Sequence, residues 1–316
     1  MSGATVHDPV PRGKLIAAFA AVYVIWGSTY LAIRFALETL PPFLMAGVRF
    51  MTAGALVYGV LIARGAQHPN RLNWRDGIVV GAFLLLGGNG GVVWAEQYVV
   101  SGIAALLVAT LPIWILLFDW WRGTGARPTG RTVLGIALGL IGVAVLVGPQ
   151  ELGAGAVPPL PALVLVLASV SWAWGSIYSR GAVKPSSPMM ATALQMFSGG
   201  VLLTLLGLAT GELGELDLGA ASLKSLLALL YLLAFGSIVG YSAYIWLLHH
   251  AQPAHVATYA YVNPVVAVFL GWLIASEPIT MRVLIAAAVI IGGVAVIVSS
   301  RAATAPPPVP SDVREI

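Results

Sequence analysis

Trp26-Gly27-Ser28-Thr29-Tyr30 lies inside the first long apolar run of the chain, and Trp174-Gly175-Ser176-Ile177-Tyr178 lies inside the sixth. Four of the five positions match, at an offset of 148 residues. Gly142-Val143-Ala144-Val145 returns 151 residues later as Gly293-Val294-Ala295-Val296, and Pro112 has a counterpart 152 residues later in Pro264. Three matches in consistent order, with offsets that agree within a few residues, read as two tandem copies of one unit. Each copy holds five apolar runs. Five is odd, so the second copy enters a membrane from the side opposite to the first, which predicts an inverted repeat of the kind found in secondary transporters.

The apolar runs lie at 15–37, 42–63, 77–97, 102–121, 131–148, 160–179, 188–208, 223–247, 254–275 and 281–299. Each is near the about 20 residues that one helical crossing needs. The breaks carry turn chemistry or charge, as at Pro41-Pro42, His68-Pro69-Asn70-Arg71, Lys184-Pro185 and Glu277-Pro278. The sequence therefore predicts an all-α polytopic membrane protein of ten transmembrane helices, with one five-helix repeat over 14–150, a second, inverted one over 158–300, and a disordered cytoplasmic tail over 301–316.

Composition supports the same class. Of 316 residues, 59% are hydrophobic and 9% charged, with a mean hydropathy of +0.92, whereas a soluble domain carries about a quarter charged residues. That much apolar surface must face lipid, which excludes a soluble enzyme and a disordered chain. The net charge of +4 comes from basic residues scattered singly among loops rather than from a basic stripe, so no nucleic-acid partner is expected. With the N-terminus cytoplasmic, twelve of the 16 Lys and Arg fall on the inner side (Arg12, Lys14, Arg64, Arg71, Arg75, Arg122, Arg127, Arg131, Arg180, Lys184, Arg301 and Arg314) and only Arg34, Lys224 and Arg282 on the outer side. The positive-inside rule then puts both termini in the cytoplasm. The first run follows Arg12 and Lys14 but is too long for a cleaved leader and reads as a retained anchor. Cysteine is absent, which excludes thiolate metal sites and cysteine nucleophiles.

Trp26-Gly27-Ser28-Thr29-Tyr30, Gly47-Val48-Arg49-Phe50, Gly88-Asn89-Gly90, Ala95-Glu96, Ser101-Gly102-Ile103-Ala104-Ala105 and Tyr259-Ala260-Tyr261-Val262-Asn263-Pro264-Val265 together resemble the EamA family of the drug/metabolite transporter superfamily, in its YedA-like branch. The likeness covers residues 14 to about 300, and the second copy has Gln195 where the first has Arg49. The resemblance implies the ten-helix EamA fold, residence in the inner membrane, and export or exchange of small metabolites such as amino acids.

Arg49 stands about two turns into the second helix, where a charge costs at least roughly 2.5 kcal/mol unless it faces the bundle or a wet cavity. It reads either as an anchor for a substrate carboxylate or other anionic group, or as a structural partner of Glu96 or of a set of helix-end carbonyls. Glu96 ends the third helix, with Asn89 two turns earlier on the same face. It is a candidate for coupling to protons, or an interfacial carboxylate. Trp26 and Tyr30, with Tyr23, form one helical stripe that Trp174 and Tyr178 repeat in part, and Tyr241 and Tyr244 add a third set. Their amphipathic rings suit a cavity wall, whereas Trp120 and Trp121 beside Arg122 suit an interfacial belt. Pro112 and Pro264 break corresponding helices, and Asn263 precedes the second break, so freed carbonyls there either line a cavity or mark a packing kink. His249, His250 and His255 have no neighbouring carboxylate, and no metal or other cofactor is expected. The glycines Gly135, Gly139 and Gly142, with Gly292-Gly293, predict close contact between the fifth and tenth helices or a homodimer face; a monomer and a homodimer both stay open.

No phosphate loop, His-Glu-x-x-His or Gly-x-Ser-x-Gly motif occurs. The function expected is thus a secondary transporter, an exporter or exchanger, of small organic solutes such as amino acids or amphipathic drugs, working by alternating access around a central cavity lined by Trp26, Tyr30, Arg49, Asn89, Trp174, Tyr178, Tyr241, Tyr244 and Asn263. The rival reading is a passive facilitator, pore or membrane sensor.

Overall fold

Prolines and polar side chains set the helix starts. In the computed structural model, which describes residues 11–123, 129–147, 157–183, 185, 187–251, 253–256 and 258–304, α1 (Arg12–Ala36) follows Pro11 and α2 (Pro42–Ala63) opens on a proline whose missing N–H costs nothing in a first turn. The third helix, α3 (Arg71–Ala95), is capped reciprocally. The Asn70 side chain accepts from the Asn73 amide at 2.9 Å, and the Asn73 side chain accepts from the Asn70 amide at 3.0 Å. That cap starts α3 at Arg71, ahead of the run expected from residue 77, because Arg71, Arg75 and Asp76 mask its first turns in hydropathy.

The chain continues through α4 (Ser101–Trp121), α5 (Gly130–Val147), α6 (Pro159–Gly181), α7 (Pro188–Ala209) and α8 (Leu223–Leu247). Ser187 and Ser222 cap α7 and α8 by accepting from the amides of Met190 and Ser225. The last two helices are α9 (Tyr259–Ala275) and α10 (Met281–Thr304). Nine of these ten are long and apolar enough to cross a membrane by length and composition; α9, at 17 residues, is shorter, after a separate turn at Pro253–Val256 and before Ser276 in the left-handed region with φ 53°. No strand occurs among the described residues. Residues beyond 304, most of the expected tail, lie outside the described residues, as do Arg127, Lys184 and Arg314; α10 carries the helix past the expected limit of 300.

Packing joins the two halves. The most extensive contact is α2 with α7, followed by α5 with α10. Glycine makes both possible. A Cβ at Gly54 would lie 2.4 Å from the Phe197 nitrogen, one at Gly200 2.3 Å from the Met51 nitrogen, and one at Gly135 2.7 Å from the Gly293 carbonyl oxygen. Backbones that approach this closely leave no room for a side chain. The remaining contacts are matched across the halves: α1 packs on α8 and α9, and α6 packs on α3 and α4.

α3 and α8 each widen into a π-helical segment, Ala82–Asn89 and Leu232–Val239, 150 residues apart. Widening redirects carbonyls. The Phe83 carbonyl accepts the Ser171 hydroxyl of α6 at 2.7 Å, and the Gly236 carbonyl accepts the Trp26 indole N–H of α1 at 3.2 Å. α4 breaks at Ala109-Thr110, with Pro112 in the first turn of its second piece, whereas Pro264 is taken inside α9.

Candidate functional site

One cavity of about 1200 Å³ lies between the halves. Its walls run from Trp26, Tyr30, Arg49, Asn89 and Asn263 to Asn73, Asp76, Arg180 and Val183 at the end of the bundle where α3 and α7 begin and α6 ends. Arg49 and Gln195, the matching positions of the two copies, both line it.

Arg49 is only 4% exposed. Its Nε–H donates to Ser237 Oγ at 2.9 Å, its guanidinium carbon sits 4.3 Å from the Phe50 ring centroid, and its Nη1 has no hydrogen-bond partner. It does not pair with Glu96, since neither Glu96 oxygen has a hydrogen-bond partner. Asn263 Oδ1, on another wall of the cavity, is likewise buried and unpartnered. An arginine donor and an amide acceptor, both desolvated and both unused, are open valences that a solute can satisfy.

An aromatic cluster adjoins them. Trp26 lies 5.3 Å from Tyr241, 5.1 Å from Tyr244 and 5.4 Å from Tyr259, centroid to centroid, with edge-on or tilted rings, and all four line the cavity. Tyr259 belongs to this wall although periodicity pointed only to Tyr241 and Tyr244. The signal was present in its position at the start of the Tyr259-Ala260-Tyr261 motif, one turn before Asn263.

The second copy does not mirror the first. Trp174 does not line the cavity: it packs 5.2 Å from Phe118 and 6.2 Å from Trp121, with the Arg122 guanidinium 5.8 Å from its ring. Trp172 takes the wall instead, against Gly88 of the first π segment. Two positions along a helix is about 200° of rotation, so a match in sequence need not preserve which indole faces inward. Tyr178 is also off the cavity surface; its hydroxyl donates to Asp76 Oδ1 at 3.1 Å and so orients a carboxylate that does line it. Asp76 is further held by Arg75 at 2.8 Å and by the Val183 amide at 2.7 Å. Arg180 pairs with Asp119 at 2.7 Å. Pro112 lines the cavity and Pro264 is buried within α9.

At the opposite end of the bundle, Arg34, Glu96, Glu212 and Glu277 do not line the cavity. There Glu277 pairs with Arg34 at 2.5 Å and accepts from the Ser101 amide, the Ser101 hydroxyl and the Gly102 amide at 2.8–3.1 Å, capping α4. Glu212 caps α2 in the same way through the Phe43 and Leu44 amides. A carboxylate at a helix N-terminus satisfies orphan donors and complements the helix dipole. Glu96, 5% exposed, sits near this end, with Glu277, Arg34 and Arg49 as the charges acting on it.

The model of the EamA-like transporter family matches residues 13–148 and 159–299. The chain belongs to the EamA-like transporter family. The "Uncharacterized inner membrane transporter YedA" of Escherichia coli strain K12 is 41% identical over 267 residues, 84% of each chain. A "Probable amino-acid metabolite efflux pump" of the same organism is 28% identical over 271 residues, covering 82% of this chain and 86% of its own. A solved crystal structure, 21% identical, superposes with a TM-score of 0.62 over 90% of this chain and 97% of its own, which shows a shared fold. Membership of a transporter family implies a small-molecule solute and a lipid environment for this chain.

Proposed function

We propose that this EamA-like chain is a secondary transporter, an exporter or exchanger, of small organic solutes that carry an anionic group on an apolar or aromatic body, amino acids and amphipathic drugs among them. The observation that carries this reading is the buried Arg49 on the cavity wall, its Nη1 unpartnered, beside the Trp26, Tyr241, Tyr244 and Tyr259 cluster. The guanidinium binds the anionic group, the rings cover the body, and Tyr30, Asn89, Asn263 and Trp172 complete the site.

Alternating access follows from ten membrane helices arranged as two inverted five-helix repeats, 14–150 and 158–300. In support stand the matched contacts of α1 and α6, the two π segments 150 residues apart, and the paired walls at Arg49 and Gln195. α9 counts as a crossing in this reading, its short span fitting a helix that starts below the membrane surface. The protein resides in the inner membrane, as the name of the YedA relative says of that protein, with both termini cytoplasmic. The cavity then faces the cytoplasm, where an exporter loads. Glu96 is the coupling carboxyl: an unpartnered buried charge is costly, and a proton relieves it.

The test is uptake and counterflow in proteoliposomes with labelled amino acids and amphipathic drugs. Saturable flux stimulated by solute on the opposite side is expected; flux that rises linearly with concentration and shows no such stimulation would make the protein a pore.

A further inference from the structure

We propose that the π segment Leu232–Val239 is the positioning element of the solute site, and that Ser237 is the positioning residue of Arg49; this rests on Arg49 being the anchor for the solute's anionic group. Ser237 is fully buried and its hydroxyl is used in both directions: it donates to the Leu232 carbonyl five residues back at 3.2 Å and accepts from Arg49 Nε at 2.9 Å. In a regular α-turn the Leu232 carbonyl would face the residue four on; the wider turn aims it at the residue five on, within reach of the Ser237 hydroxyl. With its proton committed to that carbonyl, the serine oxygen turns a lone pair towards the arginine.

Its neighbours complete the cradle. A Cβ at Gly236 would lie 3.2 Å from Arg49 Nη2 and 3.1 Å from Thr29 Cγ2, so a larger residue would push the guanidinium aside. The Gly236 carbonyl holds the Trp26 indole, and a Cβ at Gly240 would come 2.5 Å from that indole nitrogen. One widened turn of α8 thus sets the orientation of Arg49 and Trp26, two of the first-half side chains that meet the solute. The Nε edge of Arg49 is spent on Ser237, one face on Phe50, and Nη1 is left over for a ligand.

The experiment compares Ser237→Ala in two backgrounds, wild type and Arg49→Lys, with Ser237→Cys as a variant closer in volume should alanine impair folding. Counterflow of labelled phenylalanine is one readout, and the deuterium exchange of the Arg49 Nε–H resonance in ¹⁵N-arginine-labelled protein in micelles, assigned by its loss in Arg49→Lys, is the other. Ser237→Ala is expected to raise KM tenfold or more with kcat within twofold, to change KM less than twofold in the Arg49→Lys background, and to speed exchange of the Nε–H at least tenfold. An unchanged exchange rate, or an equal effect on KM in both backgrounds, overturns the positioning role. Wild-type transport by Arg49→Lys, or no phenylalanine counterflow by the wild type, overturns the anchor and the role resting on it, while the exchange rate separately decides whether Ser237 holds Arg49.

Discussion

Arg34 of α1 and Glu277, 243 positions apart in the chain, form an ion pair at 2.5 Å, and the same carboxylate takes the first amides of α4. One acidic side chain therefore ties together three stretches that belong to both halves. Removing one partner of a buried pair costs about 3–5 kcal/mol, and since the Arg34 side chain is 35% exposed to solvent, the cost here falls below that range. Glu277→Ala is expected to destabilise the protein by about 2–3 kcal/mol, mostly through the orphaned Ser101 and Gly102 amides. Glu277→Gln, which keeps an acceptor, is expected to lose less. Thermal unfolding in detergent ranks the two; equal losses would show that the cap contributes nothing.

Arg49→Gln is expected to fold, because Gln195 occupies the matching wall position in the other copy. It removes a charge-assisted contact of about 1.5–3 kcal/mol, so the KM for anionic solutes rises roughly ten- to hundredfold. Counterflow kinetics on monodisperse protein measure it.

Glu96→Gln keeps the shape of an unpartnered buried carboxyl and removes its titration. Stimulation of flux by an imposed pH gradient is expected to vanish while solute counterflow persists. A mutant that still responds to the gradient rules Glu96 out as the coupling group.

Trp172 and Trp174 separate wall from packing. Trp172→Ala is expected to raise KM at least tenfold with little change in melting temperature. Trp174→Ala, which loses contacts with Phe118 and Trp121, is expected to leave KM within twofold and to cost about 1–2 kcal/mol, less than a fully buried indole would.

Gly54→Ala and Gly200→Ala place a methyl group within 2.4 Å of backbone across the α2 and α7 contact, and each is expected to cost at least about 1–3 kcal/mol. Gly59→Ala, in α2 with nothing within 4 Å, is expected to be neutral or stabilising by up to about 1 kcal/mol. Unfolding titrations of the three variants give the comparison.

Hydropathy made nearly all of the helices legible, because a membrane helix must be apolar along its length. Boundaries slipped where charge met the end of a helix, as at Arg71, and α9 came out shorter than its apolar run because the chain makes a separate turn at Pro253–Val256 before α9 starts at Tyr259. Single buried charges were legible as such, and the sequence left open whether Arg49 would meet Glu96 or a solute. Its true contact, Ser237, lies 188 residues away in a turn whose widening no motif announces. Facing was the least legible property. Trp174 matched Trp26 by alignment, yet helix rotation gave the wall to Trp172, and Tyr259, although it opens a motif, reaches the cluster through the packing of α9 on α1.

The π segments of α3 and α8 also act as stores of one surplus residue each. If Leu232–Val239 relaxed to α geometry, everything downstream in α8 would turn by about 100° and advance by about 1.5 Å along the axis. Tyr241 and Tyr244 would then leave the cavity wall together while the residues before Leu232 stayed still. A slip of one residue in hydrogen-bond register at such a segment would therefore exchange a whole face of side chains without bending the helix.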